Sequence, residues 1–198
     1  MRVAQIERKT GETSISLKLN IDGVGKSQIN TGVPFLDHML TLFSKHSRID
    51  LEVNAVGDIE VDAHHTTEDV GICLGCAISK ALSEGNGVKG IRRYGSTILP
   101  MDETLILSAV DISGRGHLEF VADIPSAKVG SFDTELCEEF FRAFVRRAEI
   151  TLHIRQIAGT NSHHIIEGMF KSVARSMFDA LSIDERFKDD IPSTKGVI

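Results

Sequence analysis

The stretch HHTTEDVGICLGCAISKAL, His64 to Leu82, returns near the other end of the chain as HHIIEGMFKSVARSMFDAL, His163 to Leu181. With one laid on the other, His64 meets His163, His65 meets His164, Glu68 meets Glu167, and Ala81-Leu82 meets Ala180-Leu181. Just upstream Asp62 meets Asn161, and both residue types cap helix N-termini well. A His-His-x-x-Glu motif at the mouth of an apolar helical segment, present twice in register, predicts an internal duplication. What surrounds one copy should then surround the other.

Around the first copy, Thr13 to Gly23 (TSISLKLNIDG) alternates Ile15, Leu17, Leu19 and Ile21 with polar residues, which predicts a half-buried strand closed by Asp-Gly. Pro34 to His46 reads as a helix opened by proline, and Arg48 to Gly57 alternates again. Around the second copy, Thr104 to Ser113, His117 to Asp123 and Glu149 to Arg155 read as strands. Thr134 to Arg147 reads as an amphipathic helix with Leu136, Phe140, Phe141 and Phe144 on its apolar face. The tail from Asp190 to Ile198 is polar and irregular. The expected fold is α+β, with two pseudo-repeated halves, each a mostly antiparallel sheet with two helices packed on one face. The glycine-rich joint Gly85-Asn86-Gly87 divides residues 1–88 from 89–198 within one compact domain.

The 198 residues suit that size, and 41% apolar content supports a core. No apolar run is long enough to span a bilayer, and the start, MRVAQIERKTGETSISLKL, has no signal-peptide stretch, so a cytoplasmic protein without membrane contact is expected. A net charge of -6 with no basic stripe excludes nucleic acid as the expected partner, whereas a small anion needs only a local cluster. The three cysteines, Cys73, Cys76 and Cys137, make no disulfide framework. Cys73 and Cys76 form a C-x-x-C, but it sits inside the helical segment. The repeat places Ser172 and Arg175 at those positions, so helix packing is the better reading.

A lone histidine on an apolar element is usually a satisfied core residue. Here four of the eight histidines lie in the two doublets. A helix turns about 100° per residue, so His64 and Glu68 share a face and His65 neighbours Glu68 from the other side. Imidazole with carboxylate and no thiolate suits Mn, Fe, Ni or Zn. Two motifs offer four imidazoles and two carboxylates, too many for one catalytic ion and too few for two octahedral ones. His38, beside Asp37 on the first helix, and His153, on a strand opposite Ile150, Leu152 and Ile154, are the residues expected to complete the set. The loop after that strand would fold His153 back toward the second doublet. His46 lies two turns beyond His38, placed to line a pocket, and His117 in GRGH reads as surface. Zincin and inverzincin orders are absent, as are the P-loop and G-x-S-x-G patterns.

Further segments carry a resemblance. Asp37-His38-Met39-Leu40, DAHHTTED (Asp62 to Asp69), Pro100-Met101-Asp102-Glu103, Gly114-Arg115 and NSHHIIE (Asn161 to Glu167) together resemble the imidazoleglycerol-phosphate dehydratase family. The match runs from RKTGET, Arg8 to Thr13, to PSTKG, Pro192 to Gly196, and the chain resembles the monofunctional form, for which no phosphatase segment is expected. The resemblance implies a lyase (a hydro-lyase) of histidine biosynthesis that converts D-erythro-imidazole-glycerol phosphate to imidazole-acetol phosphate. It implies two Mn2+ ions per site and a homo-oligomeric 24-subunit shell with active sites between subunits. Carried over by motif, the metal ligands are His38, His64, His65, Glu68, His153, His163, His164 and Glu167. The phosphate substrate would be held by Arg93, Arg115, Lys171, Ser193, Thr194 and Lys195, with His46 lining the pocket and Glu12 as acid/base. In that chemistry a metal-bound imidazole ring loses its N–H proton more easily, and the imidazolate expels the adjacent hydroxyl. Gly116-His117 and Leu42 depart from residues common in the family, both near the expected phosphate site.

Two other readings use the same residues. A binuclear phosphoesterase would release inorganic phosphate. A metal-storage protein of the ferritin kind would use Glu-x-x-His on long bundle helices, and the strands here argue against that.

Overall fold

A computed structural model of the chain describes residues 1–84 and 87–198. Gly85 and Asn86, at the expected joint, lie outside the described residues. The first half runs β1 (Val3–Lys9), β2 (Thr13–Asn20), β3 (Ser27–Asn30), α1 (Pro34–Ser47), β4 (Asp50–Gly57) and α2 (His64–Ser83). The second runs β5 (Tyr94–Met101), β6 (Thr104–Asp111), β7 (His117–Val121), the small hairpin β8 (Lys128–Val129) and β9 (Phe132–Asp133), α3 (Leu136–Ala148), β10 (Thr151–Ala158) and α4 (Ser162–Leu181). The two four-stranded sheets have orders β1-β2-β4-β3 and β5-β6-β10-β7. In each, three strands are antiparallel and the short fourth joins in parallel. The halves are therefore topological copies, an α+β duplication with two helices on one face of each sheet.

The strands form because their alternation gives each sheet one apolar face. On β2, Ile15, Leu17 and Leu19 are buried while Ser14 and Lys18 are exposed. On β10, Leu152 and Ile154 are buried while His153 and Arg155 are exposed. α2 packs along α3, and α1 along α4, so both helix pairs join the halves through one hydrophobic core. Phe170 on α4 lies 5.1 and 4.8 Å, centroid to centroid, from Phe140 and Phe141 on α3. The α2–α3 contact is close because of glycine. A Cβ on Gly75 would stand 2.4 Å from the Phe144 carbonyl oxygen, and one on Gly71 2.7 Å from that of Phe140. Cys73 sits between those glycines, fully buried, and burial pushes its thiol up to about 12. All three cysteines are free, so the C-x-x-C is packing.

Several boundaries differ from the sequence expectation. Arg48 and Glu149 were expected to open strands. They instead end α1 and α3 in the left-handed conformation, φ 64° and 55°. A left-handed cap lets a helix satisfy its last carbonyls, and alternation alone cannot tell such a cap from a first strand residue. β1, β3 and β5 were not foreseen. The inward positions of β1 are Ala4, Ile6 and Arg8, and those of β5 include Gly95 and Thr97. Small or charged residues there leave little hydrophobic signal. Among the described residues no helix is long and apolar enough to cross a membrane.

Candidate active site

Each doublet opens its helix, so the cap decides where the imidazoles stand. Asn161 Oδ1 accepts the backbone N–H groups of His163 and His164 at 2.9 and 3.3 Å. Asp62 Oδ1 accepts that of His64 at 2.7 Å. Successive helical residues diverge by about 100°. Ring centroids in each doublet accordingly lie 6.2 Å apart, with interplanar angles of 79° and 85°.

His163 turns toward α1. Its Nε2 is 3.1 Å from Glu167 Oε2, one turn on, and His38 Nε2 is 3.5 Å from the same oxygen. The ligand atoms of His38, His163 and Glu167 fall within 4.8 Å of one another. Glu167 is buried, with Lys171 Nζ 2.5 Å from its other oxygen. Burial raises that carboxyl, but Lys171 and the imidazoles outweigh it and hold it below the ordinary value. Two imidazoles and a carboxylate at these distances are a donor set suited to a divalent cation.

The second histidine of each doublet turns toward the strand end or hairpin of its own sheet. His164 Nδ1 lies 2.8 Å from Glu103 Oε2, and its Nε2 3.7 Å from Asp102 Oδ2. His65 Nδ1 lies 3.0 Å from Asp58 Oδ2, and its Nε2 3.7 Å from Glu12 Oε1. Hydrogen bonding to Asp58 raises His65 above the ordinary imidazole value, and Glu103 does the same for His164. The Glu103 carboxyl falls to about 2, held first by His164 and then by the backbone N–H of Asn161. A carboxylate at Nδ1 fixes the tautomer and leaves Nε2 for a metal. Glu103 thus serves its doublet from 61 residues away along the chain, and Asp58 from seven. The sequence offered Glu103 only as part of the Pro-Met-Asp-Glu motif and gave no sign of Asp58.

The remaining expected ligands are not gathered by one chain. His64 and Glu68 stand at the mouth of α2, and the doublets cap two different helix pairs. Counting back from the two left-handed caps, Glu139 stands on α3 where α1 carries His38. The loop does not fold His153 back. β10 runs on to Ala158, and His153 lies on the outer sheet face beside His117, centroids 6.1 Å apart. That is the face opposite α4.

The phosphate candidates also divide. Lys171 and His46 lie on the α1–α4 seam near His163, and burial, then Lys171 and Arg175, hold the His46 imidazole below its ordinary value. The others lie at the far end. The Arg93 backbone N–H donates to the Ala180 carbonyl at the end of α4. Its guanidinium donates to Asp111 at 2.8 Å and to the Pro192 carbonyl at 2.8 Å, which ties down the tail just before Ser193. Thr194 and Lys195 are exposed beyond it. Ile198 closes against Gly114, next to Arg115, and shares a hollow with Leu82 and Ser83 at the end of α2. The tail is therefore packed at its tip, unlike the free polar end the sequence suggested. From His163 to Ala180 is about 26 Å of helix.

The family model described as imidazoleglycerol-phosphate dehydratase matches residues 31–177. A relative of that name from Halalkalibacterium halodurans is 56% identical over 198 residues, 100% of both chains. Another from Acetivibrio thermocellus is 55% identical over 197 residues, 100% of this chain and 99% of the other. The crystal structure of imidazoleglycerol-phosphate dehydratase from Staphylococcus aureus superposes with a TM-score of 0.83 at 44% identity, covering 92% of this chain and 99% of that one. The Pyrococcus furiosus structure gives 0.82 at 35% identity, over 98% and 100%.

Proposed function

The chain belongs to the imidazoleglycerol-phosphate dehydratase family, a hydro-lyase family of histidine biosynthesis, and from that premise we propose that it works with two Mn2+ ions per site, at sites shared between chains of a 24-subunit shell in the cytoplasm. The substrate is D-erythro-imidazole-glycerol phosphate and the product imidazole-acetol phosphate. The observation that carries the shared site is the separation of the two candidate sets. The doublets stand at the N-terminal ends of α2 and α4, while Arg93, Arg115 and the Ser193-Thr194-Lys195 turn lie at the C-terminal ends. The substrate's ring and phosphate are joined by only a three-carbon chain. One chain's doublet and its own tail cannot grip both ends, so the tail of a second chain completes the site. His153, on the outer sheet face, also reaches other ligands only through a second chain.

The donor set fits the metal. His38, His163 and Glu167 already converge, and His64, His65, Glu68, His153 and His164 supply the remaining positions. Bound metal supplies Lewis-acid stabilisation that eases loss of the ring N–H proton. The protein does the rest. Asp58 and Glu103 orient His65 and His164. Glu12, whose carboxylate faces His65 Nε2, moves the proton from the substrate carbon. Arg115, Lys195 and Lys171 hold the phosphate, which does not react and serves as a handle.

Product analysis of chelated and Mn-reloaded protein tests this reading against a phosphoesterase. The expected result is a ketone that retains its phosphate, formed only after reloading. Release of inorganic phosphate at the rate of substrate loss would overturn it.

A further inference from the structure

The HHTTED stretch holds an acid that the metal set does not use. Asp69 is 6% exposed, and its carboxylate faces the β1–β2 hairpin. Arg8 Nε donates to Asp69 Oδ1 at 3.0 Å, and its Nη2 lies 2.8 Å from the same oxygen. Thr13 Oγ1 donates to Oδ2 at 2.5 Å. The Thr13 hydroxyl also lies 3.2 Å from Thr10 Oγ1, which accepts the backbone N–H groups of Glu12 at 3.1 Å and Thr13 at 2.9 Å. One buried carboxylate on α2 thus holds both strands of the hairpin and, through two threonines, the backbone of Glu12. The Glu12 side chain itself is 56% exposed, 3.7 Å from His65. Its own packing does not place it.

The duplication provides an internal control. In the second half Thr104 follows Glu103 as Thr13 follows Glu12, and Gly168 follows Glu167 as Asp69 follows Glu68. Leu99 stands where the first half has Arg8. There the hairpin closes on its helix by direct contact: a Cβ on Gly168 would stand 2.9 Å from Ile106 Cγ1. At the position of the Arg8–Asp69 pair the second half thus makes an apolar contact, and its turn is held instead through the Glu103 side chain, which meets His164 at 2.8 Å and accepts the Asn161 backbone N–H at 2.9 Å. Burying the Asp69 carboxylate carries a desolvation cost that apolar contact avoids. What the ionic version adds is a fixed place for the turn that carries Glu12.

We propose that the Arg8–Asp69–Thr13 network, with Thr10, is a positioning device for Glu12, an inference that rests on the reading of Glu12 as proton shuttle. The test is a double-mutant cycle on the metal-loaded protein, using Arg8→Ala and Thr10→Val. Arg8 is partly exposed and Val is isosteric with Thr, so both variants should fold. Each should lower kcat by roughly 10-fold to 10²-fold, the range that follows misplacement of a reacting group by about 1 Å. KM and bound metal should not change. In the Glu12→Gln background neither substitution should lower kcat further, because each acts through Glu12. An equal loss in that background, or metal loss alongside it, would assign the network to general structure and overturn the inference. A slow Glu12→Gln beside fully active Arg8→Ala and Thr10→Val overturns the inference alone. Near-normal turnover in Glu12→Gln overturns the shuttle reading, and the inference with it.

Discussion

Glu12 and His46 show how little of a residue's chemistry its neighbours in sequence reveal. Glu12 stands in an exposed turn, yet its carboxylate faces His65. If Glu12 is the proton shuttle as proposed, Glu12→Gln should keep fold and metal while turnover falls by roughly 10²-fold to 10⁴-fold, as steady-state kinetics would read. His46 gives a prediction about stability. Burial first, then the positive charges of Lys171, Arg175 and Arg48, hold its folded pKa below the unfolded value of about 6.5. Just below that pH the unfolded chain binds more protons than the folded one, so this contribution is lost as pH falls. His46→Gln should flatten the decline of Tm below about pH 6.5, and an unchanged slope would contradict the assignment. The doublets were legible because each motif is contiguous and recurs in register. Glu103 at His164 was not, since it lies 61 residues away along the chain, and Asp58 at His65 was not, since a single aspartate seven residues upstream belongs to no repeated motif.

At the scale of elements, the halves are held by a helix seam that tolerates no extra carbon. Gly75→Ala would gain about 1 kcal/mol of helix propensity. It would also push a Cβ to 2.4 Å from a backbone oxygen on α3, which cannot swing aside. Overpacking of this kind costs about 1–3 kcal/mol, so the variant should melt lower, by calorimetry. At the other end of the molecule, Arg93 has a structural task that Arg115 and Lys195 lack. It ties Asp111 to the tail at Pro192. Arg115→Ala and Lys195→Ala should raise KM and leave Tm and metal content unchanged, whereas Arg93→Ala should lower Tm as well. Strands with strong inward residues, such as β2 and β4, could be read from alternation. β1 and β5 could not, because the first turns Arg8 inward toward Asp69 and the second turns Gly95 and Thr97 inward.

For the whole molecule, the repeat in the sequence foretold two sheets, four helices and their pairing into equivalent halves. It could not foretell which groups one chain leaves apart. That depends on both doublets sitting at one end of 20-residue helices, and the tail, Arg93 and Arg115 at the other. The resemblance supplied the idea of sites between subunits, and the length of α4 supplies a physical reason. Co-assembly of two defective chains tests this claim most directly. One chain carries His163→Ala and lacks a complete metal set. The other lacks residues 193–198 and with them the proposed phosphate-binding turn. Each alone should be inactive at low substrate concentration. If sites are shared, co-expression should create some sites with an intact doublet from one chain and an intact tail from the other, and activity absent from both parents should return. A mixed assembly as inactive as its parents would mean that each chain builds its site alone, contrary to this account.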